Sequence, residues 1–174
     1  MDTVSQTSQV SHIPSNQTIC EEDVFNITIS TDNHVGFKEN DAIIGNDSFE
    51  AFEEVCQNAL INESDFLLLG GDLFHEKVPS KATINKVTKI LNENVFGAQN
   101  VQFETEGYPV ANYNNDFLSV KLPIFMIHGN HDDPTGLEYL SNVDFLHSAR
   151  QINYFGKIRN MEEIEIEPIL LTKG

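Results

Sequence analysis

Three short clusters hold most of the side chains able to do chemistry: Asp32-Asn33-His34, Gly70-Gly71-Asp72-Leu73-Phe74-His75 and Gly129-Asn130-His131-Asp132. Their carboxylate, imidazole and amide oxygens suit two hard or borderline divalent cations. Two such ions, held about 3.5–4 Å apart, catalyse in-line attack on a phosphoryl centre. In that chemistry Asp32 and His34 can aim at one ion, Asp72 can bridge both, and Asn130 can offer a neutral oxygen to the second. His131 follows Asn130 directly and would point elsewhere, as a general acid for the leaving oxygen or as a donor to the developing phosphorane. His75 could give a second phosphate contact. Each cluster taken alone reads equally well as a simple turn. Their coincidence, each behind an apolar run, favours the chemical reading. His12 reads as tail, His147 as a helix-face residue, and His128 as packing beneath its loop.

The clusters need elements to position them. Residues 24–30 alternate apolar and polar and predict a strand that ends at the first cluster. Asn46-Asp47-Ser48 predicts the cap of a helix running to about Asn62, with Phe49, Phe52, Val55, Cys56 and Leu60 on one face. Asp65-Phe66-Leu67-Leu68-Leu69 is the continuous apolar run of a fully buried strand, and it delivers the second cluster. A helix is expected from about Ser80 to Asn94, with Ile84, Val87, Ile90 and Leu91 inward. Pro123-Ile124-Phe125-Met126-Ile127 predicts a third buried strand, whose exit loop carries the third cluster. A helix from just past Gly136 to about Ser148, and strands over residues 151–155 and 164–171, complete the pattern. Strand, helix, strand, helix, strand is the α/β signature, and open α/β sheets place their chemistry at the carboxyl ends of the strands. Residues 1–23 are polar, lack Lys and Arg, and read as a disordered tail, in which Ser5-Gln6 and Ser8-Gln9 are chance pairs. Residues 95–120 read as an insertion loop within the domain spanning 24–174.

Composition narrows the partners. The 174 residues can bury a real core, and no apolar stretch is long enough to span a bilayer. The N-terminus lacks the basic start and apolar core of a signal peptide, and Cys20 and Cys56 stand in no metal or redox spacing. An intracellular chain with free thiols is the simpler expectation. Ten Lys and Arg against 27 Asp and Glu give a net charge of −17, the wrong sign for binding nucleic acid through a basic face alone. Bound divalent ions would reverse that sign locally and attract phosphate.

Asp32-x-His34, Gly71-Asp72 and Gly129-Asn130-His131-Asp132 resemble the first three motifs of the calcineurin-like metallophosphoesterases. Protein Ser/Thr phosphatases carry Gly-Asp-x-Val-Asp-Arg-Gly at the second motif, where this chain has Gly71-Asp72-Leu73-Phe74-His75-Glu76. That version, with Thr31-Asp32-Asn33-His34-Val35-Gly36-Phe37 and the run from Ile127 to Gly136, is similar to the double-strand-break repair nuclease branch. The similarity runs from about Phe25 to Gly174. It implies an α/β sandwich of two mixed sheets flanked by helices. It also implies a nuclear enzyme with two Mn²⁺ ions, acting as a 3′-to-5′ exonuclease and single-strand endonuclease on DNA ends in repair and meiotic recombination. The positions matching Asp32 and His34 hold one metal in that branch, that matching Asp72 bridges, that matching Asn130 holds the other, and those matching His75 and His131 assist phosphate chemistry. Members of the branch dimerise near the third motif, where residues 137–148 of this chain serve equally well as core. They also join an SMC-like ATPase through a segment absent here. They continue past the Lys-Gly matching Lys173-Gly174 with further histidine ligands and a DNA-capping domain, so the resemblance implies a C-terminally truncated, N-terminal portion. Two readings follow: the metal-dependent nuclease, or a non-catalytic dimerisation module of the same family.

Overall fold

The computed structural model describes residues 24–98, 101–108, 111–158 and 168–174. The expected tail over residues 1–23, and residues 164–167 of the strand expected over 164–171, lie outside the described residues, while Leu170 and Leu171 of that span fall in a strand. The elements run β1 (Ile27–Ser30), α1 (Asp47–Ile61), β2 (Phe66–Leu69), α2 (Lys81–Val95), β3 (Phe103–Glu106), β4 (Ile124–Met126), α3 (Asn142–Ser148), β5 (Asn153–Tyr154) and β6 (Leu170–Lys173).

Strands β1, β2, β4 and β5 lie side by side in that order, every neighbour pair parallel. Strict alternation along β2 and β4 serves two layers. Leu67, Leu69, Ile124 and Met126 join Phe52 and Cys56 of α1, Val87 and Leu91 of α2, and Val143 and Leu146 of α3 in the main core. Phe66 and Phe125 point to the opposite face, where they meet Phe25 and Phe103 beneath the second sheet, an antiparallel pair of β3 and β6. Burial on both faces is why these strands read as unbroken apolar runs. The architecture is the expected α/β arrangement of two sheets with helices, but among the described residues neither sheet is mixed: the larger is wholly parallel and the smaller antiparallel. Among the described residues no helix is long and apolar enough to cross a membrane.

Three local expectations need correction. Residues 95–120 are not loop throughout: Phe103–Glu106 pairs with Leu170–Lys173, because Phe103 gains the aromatic pocket of Phe25 and Phe66. The third helix is shorter than its periodicity suggests. Residues 135–140 fold into a tight turn closed by Thr135 and Leu140, and the helix starts only at Asn142, behind its N-cap Ser141. There Ser141 and Asp144 form a reciprocal capping box, which fixes the start more firmly than the apolar spacing does. Asn46 precedes α1 but makes no side-chain cap bond; it reaches Glu50 and Lys86 instead. Ser48 is also diverted, since its hydroxyl accepts the Gly36 amide at 3.0 Å and ties the first loop to α1.

Because the four strands are parallel, their carboxyl ends share one edge of the sheet, and the three clusters leave from it together. The ladder continues into the loops: Asp32 N donates to Gly71 O, His34 N to Asp72 O and Val35 N to Leu73 O, at 3.1, 3.0 and 2.7 Å. The first two loops are therefore zipped to each other beyond the strands that carry them.

Candidate metal and phosphate site

Donor atoms of Asp32, His34 and Asp72 all lie within 4.8 Å of one another. His34, His75 and His131 form a second such group, with His34 common to both. The ring centroids of His34 stand 4.7 Å from His131 and 5.5 Å from His75, and the His75 and His131 rings stack 5.6 Å apart. Sequence reasoning sends His131 away from Asp32 and His34, and the fold places its imidazole directly beside His34. Asn130 is exposed at the rim of a cavity of about 380 Å³, which it lines with His75, Glu76, Lys77, Val78 and His131. His147 lies elsewhere, bonded through Nδ1 to the carbonyl of Ile152. His128 is tied to the hydroxyl of Tyr154 at 2.7 Å.

The donor set fits a divalent cation. Carboxylates mixed with imidazole match hard-to-borderline ions. The His34 Nδ1 is buried without a hydrogen-bond partner among the described residues, while Nε2 lies 3.8 Å from the Asp32 carboxylate. A polar atom left so costs free energy unless something outside the chain satisfies it. Asp32, His34 and Asp72 also share an unusual backbone, with φ of 55°, 44° and 52°. This left-handed region suits Asp, whose short side chain bonds locally, better than His, and residues held there cluster at functional sites.

Close packing of glycines brings the second and third loops together. A Cβ on Gly71, at φ 110°, would lie 2.8 Å from the Gly129 amide nitrogen, and one on Gly129 would lie 2.2 Å from Asp72 Oδ1. Asp72 itself is buried, and its Oδ1 accepts the His131 amide at 2.8 Å. His131 Nδ1 lies against the carbonyl of His75. A carbonyl only accepts, so Nδ1 carries the proton and Nε2 is the atom left to exchange one.

Asp132 is a residue whose part sequence reasoning misses. It is 3% exposed, and its two oxygens accept the Leu73 and Phe74 amides at 2.8 and 3.0 Å. Burial pushes its carboxyl above the usual carboxylate range, against the pull of those amides. It fastens the third loop to the second. The motif Gly-Asn-His-Asp contains the signal, but which backbone it holds is a matter of tertiary packing.

Comparison with known proteins follows the same lines. The model for the calcineurin-like phosphoesterase family matches residues 25–173. Double-strand break repair protein MRE11 of Mus musculus is 44% identical over 164 residues, covering 88% of this chain and 23% of the relative. The MRE11 of Homo sapiens is 43% identical with the same coverage. That of Arabidopsis thaliana is 42% identical over 165 residues, covering 87% of this chain and 23% of its own length. The chain thus spans under a quarter of the length of these curated relatives.

Proposed function

The chain belongs to the calcineurin-like phosphoesterase family, and from that premise we propose that it is the metal-binding part of a DNA double-strand-break repair nuclease. The convergence of Asp32, His34 and Asp72 with His75 and His131 on one sheet edge supports the reading most directly. Asp32, His34, Asp72 and Asn130 would hold two Mn²⁺ ions. Bound there, such ions supply charge neutralisation at the phosphoryl oxygens and a water acidic enough to attack. The chain's own residues do the rest. His131, fixed by the carbonyl of His75 at Nδ1, offers Nε2 as the site from which a proton reaches the leaving oxygen. His75, stacked against it, holds a phosphate oxygen in line. Asp132 keeps the two loops in register while this happens. The reaction is 3′-to-5′ exonucleolytic and single-strand endonucleolytic cleavage at DNA ends, in the nucleus, during repair and meiotic recombination. Relatives named for double-strand break repair support that substrate.

The partners we propose are DNA ends, a second copy of the chain and an SMC-like ATPase. Leu137, Leu140 and Phe145, exposed at 107%, 53% and 55%, favour self-association through the turn before α3 and one face of that helix. The same surface supports the second reading, a non-catalytic dimerisation module. Calorimetry with Mn²⁺ and a single-strand nuclease assay separate the two. Uptake of two ions, with cleavage reduced about a hundred-fold or more in Asp72→Asn and His131→Asn, is the expected result. No uptake and no cleavage would leave the dimerisation module. Equal cleavage by both variants would remove the site assignment.

A further inference from the structure

Beside the site stands an aromatic ring that the chemistry above does not use. Phe37 is 43% exposed, although the backbone carrying it is firmly held. Its amide donates to His34 O at 3.0 Å, and Gly36, at φ 90°, is pinned by Ser48 Oγ and by Thr83, which a Cβ would meet at 2.9 Å. The ring stands edge-on to His75, centroids 4.9 Å apart and planes at 84°. Lys38 Nζ lies 5.4 Å from its centroid. A single exposed phenylalanine is ordinary on a protein surface. What distinguishes this one is a row of three rings, Phe37, His75 and His131, leading from solvent to the metal residues, with one of the chain's few cations over the outermost.

We propose that Phe37 is a nucleobase platform: the base next to the scissile phosphate of a single strand stacks on its ring, and Lys38 neutralises the adjoining phosphate. Every base offers a π-face, so such a platform is indifferent to sequence, as end-processing requires. It also offsets the net charge of −17, since stacking contributes affinity that needs no extended basic surface. The backbone carrying the ring is held in place, so only the two side-chain torsions of Phe37 need ordering on binding. The proposal rests on the nuclease reading and names the contact that registers the strand in that site.

The test uses this chain with a single-stranded oligonucleotide carrying 2-aminopurine at successive positions, in Ca²⁺ to separate binding from cleavage. Fluorescence quenching at one position, lost in Phe37→Ala and kept in Phe37→Tyr, is the expected signature. Anisotropy should show about ten-fold weaker binding by Phe37→Ala. With an abasic residue at the quenched position, wild type and variant should bind alike. Lys38→Ala should weaken both oligonucleotides equally. Identical discrimination between base and abasic residue by wild type and Phe37→Ala would overturn the platform, even where Mn²⁺-dependent cleavage persists. Phe37-dependent quenching without any cleavage in Mn²⁺ would retain the platform and remove the nuclease reading. No binding of either oligonucleotide would overturn both.

Discussion

Asp72 reaches its position because nothing larger than glycine stands at residue 129. With a methyl group there, the Asp72 carboxylate would be struck at 2.2 Å and pushed from the donors of Asp32 and His34. Gly129→Ala is therefore expected to keep its circular dichroism spectrum while Mn²⁺ affinity, read by calorimetry, falls about ten-fold or more. An unchanged affinity would show that Asp72 is free to move. The Gly-Asp and Gly-Asn pairs are visible in the sequence, and so are Asp32, His34 and His75 as candidates. The mutual contact of Gly71 with Gly129 is not, since it depends on two loops far apart in the chain arriving at one place. For the same reason the sequence detaches His131 from Asp32 and His34, although the strand ends bring its ring to 4.7 Å from His34.

Between loops and strands, Asp132 performs a service usually left to backbone pairing. Its buried carboxylate takes two amides of the second loop, Leu73 and Phe74. Removal leaves both donors without that partner, so Asp132→Ala should lower unfolding free energy by about 3 kcal/mol in urea titration. A loss below about 1 kcal/mol would mean that water replaces the carboxylate without strain. Strands β2 and β4 and helices α1 and α2 were legible because burial writes itself into apolar runs and helical spacing. The pairing of β3 with β6 was not, because Phe103-Glu104-Thr105-Glu106 is half charged and only a distant partner makes it a strand. The start of α3 was likewise hidden by a periodic apolar pattern that continues through a turn ending at Leu140.

For the molecule as a whole, Val143 and Leu146 are committed to the core while Leu137, Leu140 and Phe145 remain on the surface. If that surface joins two copies, Leu137→Asp with Phe145→Asp should convert the sedimenting species from twice the chain mass to one, with the fold retained. A wild-type chain that sediments as one copy would remove the dimer from the proposal. The left-handed backbone of Asp32, His34 and Asp72 bears on the same balance of parts. Each such residue costs about 1–3 kcal/mol unless its side chain tolerates the region, as Asp and Asn, with short side chains that bond locally, do better than His. His34→Asn should thus yield a chain that has lost metal affinity yet melts about 2–4 °C higher in scanning calorimetry. Catalytic competence and resistance to heat would then be rivals within one loop, and selection for hardiness alone would drift toward inactive descendants.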